Sequence, residues 1–223
     1  MQRHFHEDLR TLTGRVGDMG TLVEGRVHAA LIALMERRPE VAVEVVSGDD
    51  AVNQVELEID DLCIRFLATQ GPVASDLRLV RSIIKVITDL ERIGDRAVNM
   101  AQAVISLSNR PPLRPVLDVS ILGETAVGMV HDSVLAFTTQ DVEMAQSVLA
   151  REDRADSMRD SIFRVLMTYM MADTAAIERA LGLMQVSRCL ERIADHATNI
   201  AEETVFVVEG RVIRHAVTAL TQE

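Results

Sequence analysis

With 223 residues, 48% of them hydrophobic, the chain can bury a sizeable core without disulfide or metal staples, but 3% aromatic content and no tryptophan leave Leu, Ile, Val, Met and Ala to fill it. A formal charge of −11 argues against a nucleic-acid partner, whose phosphates need a concentrated basic surface, and favours cations or basic protein surfaces. No run approaches the roughly 18 consecutive apolar residues needed to insert in a bilayer, and the opening "MQRHFHEDLR" lacks the apolar stretch of a secretory signal, so a cytosolic location is expected.

Helical periodicity dominates and no segment alternates as a strand would. A first helix is predicted over 4–36, ending near Arg37, Arg38 and Pro39. A second runs over 40–69 and stops at Gly71-Pro72; Gly48 is its weak point, because glycine costs about 1 kcal/mol against alanine in a helix interior. A third starts near Pro72, whose fixed φ suits a first helical turn, and reaches about 108. "SNRPPLRPVLD", residues 108–118, carries three prolines in five positions and cannot continue a helix. Further helices are predicted over 116–138, 141–172 and 174–208, joined by short connections that imply antiparallel neighbours.

These elements make an all-α chain of six long helices, arranged as two tandem pseudo-symmetric three-helix bundles: 1–110, then 116–209, with 210–223 as a tail. Cys63 and Cys189 fall one in each half within apolar helical patterns and read as buried free thiols.

The chemistry is concentrated in a repeat. "LERIGDRAVNMA", residues 90–101, returns a hundred residues later as "LERIADHATNIA", with eight of twelve positions identical. At about 100° per residue, Glu91, Asp95, Asn99 and Gln102 share one face, opposite Leu90, Ile93, Ala97 and Met100. Glu191, Asp195, Asn199 and Glu202 make the same stripe in the second copy. One acidic pair at this spacing is an ordinary solvated face, and shared ancestry alone could preserve two. Yet acids at i and i+4 repel, and a stripe of them lacks a counter-charge.

The preceding helices supply more oxygen: Asp49, Asn53, Glu56 and Asp60 on one stripe, and Glu152, Asp153, Asp156 and Asp160 in the corresponding region. Oxygen donors without histidine or thiolate suit Mg²⁺, Mn²⁺ or iron better than a structural zinc. No Glu-x-x-His element of a ferritin-like di-iron centre occurs. A convex helix face is a poor place for a glycosidase-like acid pair, so enzymatic chemistry is disfavoured. A second stripe, Arg78, Arg81, Lys85, Arg92 and Arg96, lies about a quarter turn away. It reads either as neutralisation of neighbouring acids or as a docking edge for an acidic partner.

"GPVASDLRLVRSIIKVITDLERIGDRAVNMA" and "REDRADSMRDSIFRVLMTYMMADTAAIERALGLMQVSRCLERIADHATNIAEE" resemble the two halves of the PhoU family of phosphate-transport regulators, over nearly the whole chain. The resemblance implies two three-helix bundles side by side, bearing multinuclear metal clusters held by Glu/Asp-x-x-x-Asp pairs of neighbouring helices. Carried onto this sequence, the implied ligands are Glu91, Asp95 and Asn99 with Asp50, Asn53 and Glu56, and Glu191, Asp195, Asn199 and Glu202 with Asp153, Asp156 and Asp160. The ion is left open among iron, manganese, magnesium and zinc. Gln102 stands opposite Glu202 and Asn53 opposite Asp156, so the first site is expected to bind fewer or looser ions.

The resemblance further implies a non-enzymatic, cytosolic negative regulator of the phosphate-starvation response. It would connect the phosphate ABC transporter's ATPase to a membrane sensor histidine kinase, and so sit peripherally at the inner membrane face; a homodimer is compatible with this. The alternatives are a metal-binding helical protein serving assembly or buffering, and a metal-free oligomerisation module.

Overall fold

Eight α-helices and one 3₁₀ turn account for most of residues 2–213, the part of the chain that this computed structural model describes. No strand occurs among the described residues. They are α1 (Gln2–Glu36), α2 (Pro39–Ser47), α3 (Asp50–Gln70), α4 (Ala74–Leu107), α5 (Val116–Thr139), α6 (Val142–Leu149), α7 (Glu152–Ala172), the 3₁₀ turn Thr174–Ala176, and α8 (Ile177–Glu209). Six are long, and the expected all-α architecture stands; residues 214–223 of the expected tail lie outside the described residues.

Two predicted helices are broken. The helix expected over 40–69 is α2 and α3, parted at Gly48, where Arg26 of α1 donates from Nη1 to the Gly48 carbonyl (2.6 Å) and from Nη2 to that of Val45 (2.5 Å). A charged donor thus satisfies carbonyls left orphaned at the end of α2. The helix expected over 141–172 is likewise α6 and α7, parted at Ala150 and Arg151. Asp141 caps α6 by accepting from the Met144 amide (3.0 Å). At Gly71-Pro72 the chain turns through a left-handed glycine (φ 55°) and α4 starts only at Ala74, so Pro72 precedes the helix instead of opening it. The last long helix starts at Ile177, after a turn capped by Asp173, which accepts from the Ala175 amide (2.9 Å).

Helix α4 packs on α8 in the largest helix–helix interface, and α1 packs on both α4 and α5, so the two halves share one hydrophobic core. Its largest enclosed side chains, such as Phe137, Met19, Ile93, Met100 and Leu122, are mostly aliphatic, as the aromatic-poor composition requires. Both cysteines are buried free thiols, and burial pushes the Cys63 thiol up to about 12. The proline-rich connection is held against the ends of the helices it joins: Arg37, itself left-handed at φ 55°, donates to the carbonyls of Ser108 (2.8 Å) and Arg110 (2.6 Å), and Arg179 to that of Pro111 (3.3 Å).

Candidate metal-binding faces

The repeated phrase sits mid-helix on α4 and α8, its apolar members buried and its acids turned outward onto α3 and α7 respectively. The single Gly/Ala difference within LERI(G/A)D has a packing reason. A Cβ on Gly94 would come within 3.3 Å of the Val52 side chain, so glycine lets α3 lie close against α4.

On the first face, Glu56 approaches the Thr88 hydroxyl (3.4 Å). Burial raises the Glu56 pKa, with Asp60 and Asp95 adding to the rise. Burial likewise raises Glu91, and Asp95, Glu56 and Asp49 push it further. Asp50, chosen from the family pattern, is exposed in the first turn of α3; it is Asp49 whose charge reaches Glu91. The Asp49 Oδ1 is buried without a hydrogen-bond partner, an oxygen left without compensation for its lost water. Asn53 and Asn99 are half-buried, and Asp95 and Gln102 exposed.

On the second face, oxygens of Asp156, Glu191 and Asp195 all lie within 4.8 Å of one another. Burial raises the pKa of all three acids for which a rise is evident: Glu152, with Asp195, Asp156 and Glu202 adding; Asp156, with Asp195 adding; and Glu191, with Asp195 adding. Glu152 therefore belongs to this cluster, whereas Asp153 and Asp160 are exposed at its margin. Asp49 and Glu152, absent from the ligand set that the resemblance implies, are among the oxygen donors that spacing gave, each four residues before the inward members Asn53 and Asp156. Asn199 turns its Nδ2 to the buried Asp89 (3.2 Å), which also pairs with His196 Nδ1 (2.9 Å).

The two faces are not copies. Arg159 occupies on α7 the place that Glu56 holds on α3, and its guanidinium pairs with Asp160 (2.7 Å) and approaches Glu191 (3.6 Å). Arg192 pairs with Asp195 (2.9 Å) and approaches Glu191 (3.6 Å). The second face thus has more carboxylates and also two guanidinium groups already competing for them.

Much of the basic stripe neutralises or packs on neighbouring helices, the first of its two readings. Arg81 and Lys85 reach across from α4 to Glu203 of α8 (2.8 and 2.9 Å), and Arg81 also covers the Phe206 ring at 4.6 Å. Arg96 acts on Cys189 of α8, and Arg78 lies against Gly210, just past the end of that helix. Arg92 faces the first acidic cluster, where its charge opposes the rise at Glu91.

Both faces fit a hard cation by donor chemistry: carboxylate and amide oxygens, mutual repulsion shown by the raised acids, and an orphaned Asp49 oxygen. Asp49, Asn53, Glu56, Glu91 and Asp95 could hold ions on the first face, and Glu152, Asp156, Glu191, Asp195 and Glu202 on the second.

The PhoU domain matches the chain twice, over residues 16–104 and 119–204, each match containing one copy of the repeated phrase. A phosphate-specific transport system accessory protein PhoU homolog of Aquifex aeolicus is 39% identical over 209 residues, covering 94% of this chain and 95% of the relative. The crystal structure of PhoU from Pseudomonas aeruginosa superposes with a TM-score of 0.90 at 39% identity, covering 93% of this chain and all of the other. That of the phosphate transport system regulatory protein PhoU from Streptococcus pneumoniae gives 0.87 at 29% identity, covering 93% and 98%. With both halves matched, relatives aligned nearly end to end, and the six-helix architecture shared, the chain belongs to the PhoU family.

Proposed function

We propose that this chain is an accessory regulatory component of phosphate transport, acting as a non-enzymatic adaptor between the phosphate transporter's ATPase and a sensor histidine kinase. It would hold the kinase out of its signalling state when phosphate is plentiful. The observation that carries this reading is end-to-end similarity to proteins named for an accessory or regulatory role in phosphate transport. An adaptor acts by contacting one state of a partner better than the other, which demands rigid helical faces rather than a catalytic cleft. The shared core supports such rigidity.

Cations on the two acidic faces belong to the same proposal. An ion there would supply the missing counter-charge and tie α3 to α4 and α7 to α8, whose facing carboxylates otherwise repel. The convergence of Asp156, Glu191 and Asp195 also favours a second reading, in which metal-dependent assembly or buffering is the main role.

One experiment separates the readings. Cells lacking the gene are complemented with the wild-type chain or with the Asp95→Ala/Asp195→Ala variant, while phosphate-starvation reporter output and the metal content of the purified protein are measured. Constitutive reporter output in the deletion, restored by the wild type, supports the regulator. Unchanged output in the deletion refutes it, and bound metal lost in the variant would then leave the buffering role.

A further inference from the structure

Helices α7 and α8 run antiparallel, joined by the 3₁₀ turn, with Arg159 of one reaching Glu191 of the other. Two stripes flank the groove between them. On α7, Phe163, Met167 and Met171 follow Arg159 at four-residue intervals; on α8, Ile177, Leu181, Met184, Arg188 and Arg192 recur at helical spacing. Five of these, Phe163, Met167, Met171, Ile177 and Leu181, are large apolar side chains left exposed, Met171 to 84%. Toward the other end, Arg159, Phe163, Met184, Arg188, Glu191 and Arg192 line a concavity of about 460 Å³. The groove is therefore apolar near the turn that joins the helices; at its far end Arg159 and Arg192 are paired with Asp160, Glu191 and Asp195, and Arg188 alone stands unpaired among the arginines lining it.

Duplication accounts for only part of this surface. The first half keeps Ile64 for Met167, Leu77 for Ile177 and Ile84 for Met184, but has Glu56 for Arg159, Asp60 for Phe163, Arg81 for Leu181 and Thr88 for Arg188. Its apolar stripe is therefore interrupted by an acid at Asp60 and by a cation committed to Glu203. Contiguous exposed apolar side chains are uncommon on a soluble surface and mark sites of association. Arg188 is exposed, with no hydrogen bond or ion pair among the described residues, so its guanidinium is available to an incoming carboxylate.

We propose that the α7/α8 groove docks an acidic, amphipathic segment of a partner protein. The segment's apolar side chains would sit among Phe163, Met167, Leu181 and Met184, and a carboxylate on Arg188. Charge complementarity selects this occupant. A chain of net charge −11 repels acidic segments over most of its surface, so the unpaired Arg188 beside the apolar stripe fixes where and in which direction one can lie. The proposal rests on the adaptor reading and assigns one adaptor surface to the second half alone.

The test measures binding of the full chain to the purified transporter ATPase and to the cytosolic region of the sensor kinase from the same genome. Three variants are compared: Arg188→Glu, Phe163→Ser/Leu181→Ser, and the control Arg65→Glu, which makes the same charge change at an exposed site on α3. The first two are expected to weaken binding to one partner by about tenfold or more, while the control stays near the wild type. Raising NaCl from ~50 to ~300 mM should weaken the wild type more than Arg188→Glu, since screening acts on a contact the variant has lost. Unchanged melting temperatures exclude misfolding as the cause. If the wild type binds and both groove variants bind equally well, the groove is overturned while the adaptor reading survives. If the wild type binds neither partner, both fall. Self-association abolished by the groove variants, with partner binding intact, would assign the groove to a second copy and overturn this occupant.

Discussion

Glu203 offers the sharpest test of how the two halves are joined. Its carboxylate, with a side chain only 5% exposed, accepts from Arg81 Nη1 (2.8 Å), Ser82 Oγ (2.7 Å) and Lys85 Nζ (2.9 Å), all from α4 in the other half. Glu203→Gln keeps the shape and one acceptor oxygen, so Arg81 and Ser82 can still donate to it without the carboxylate's charge, whereas the amide NH2 then faces Lys85 donor to donor and that bond is lost. Charge-assisted bonds contribute roughly 1.5–3 kcal/mol and neutral ones roughly 0.5–1.5. Arg81 and Lys85 remain 44% and 34% exposed and can return to water, which discounts the difference. The expected loss is then about 1–2 kcal/mol, or about 2–8 °C in melting temperature for a chain of this size. Glu203→Ala should lose more, about 3–5 kcal/mol, because it also opens a cavity and leaves the fully buried Ser82 hydroxyl without this acceptor. Thermal unfolding followed by circular dichroism at low and high salt measures both. The loss should persist at high salt, because the carboxylate is out of reach of counterions. A Gln variant melting within about 1 °C of the wild type would refute the reasoning and show that the Glu203 ion pairs do not hold the halves together.

Other outcomes follow from the same physics. Glu56, Glu91, Glu152, Asp156 and Glu191 all have pKa values raised by burial first and by neighbouring acids second. The folded chain therefore holds protons that the unfolded chain releases, and their stabilisation, complete below the unfolded pKa values, is lost as pH rises through the folded ones. The chelated protein should melt at a higher temperature near pH ~5 than at pH 7, and a flat or inverted profile between them would contradict this. Arg159→Ala should strengthen Mn²⁺ binding at the second face roughly tenfold by removing a competitor for Glu191, as titration calorimetry would read; unchanged or weaker binding would sink that account. Gly14→Ala should stabilise by about 0.5–1 kcal/mol in urea unfolding, since its Cβ would meet nothing within 4 Å. Gly20→Ala should destabilise by about 1–3 kcal/mol, because its Cβ would meet the Val134 side chain at 2.5 Å, and the reverse ranking would show that α1 can shift.

The helices and the repeat were legible because periodicity and spacing are local properties, and an all-α chain expresses them along its whole length. The break at Gly48 was legible only as a weak point and that at Arg151 not at all, because each depends on partners distant in sequence: Arg26 on the carbonyls that end α2, and Asp132 on Arg151 (2.5 Å). The same limit explains the basic stripe. Spacing brought Arg81 and Lys85 to one face of α4 but could not reveal that Glu203 of the other half was waiting there. At the acidic faces, spacing offered Asp49 on the first stripe and both Glu152 and Asp153 on the second, while the family pattern took Asp50 and Asp153; the raised acids favour Asp49 and Glu152. Burial separates them: Asp49 has a buried Oδ1 where Asp50 is exposed, and Glu152 is half-buried where Asp153 is exposed.

The seam between α4 and α8 shows how far the halves have diverged. A perfect duplication would repeat every contact with each residue moved by a hundred positions. The image of Glu203 on Arg81 and Lys85 would be position 103 facing 181 and 185, but those places hold Ala103, Leu181 and Gln185. Near them Gly182 admits Leu107, and a Cβ there would stand 2.7 Å from the leucine side chain. The image of Asp89 on His196 is Cys189 beside Arg96. One end of the seam is therefore bound by ions and the other by close apolar packing, within a common core. The proposed adaptor role, in which different surfaces meet different partners, needs copies held rigidly together yet distinguishable. Changing the seam at both ends, Glu56 to Arg159 at the acidic faces, and Asp60 to Phe163 in the outer groove meets both needs without altering the helices that carry them.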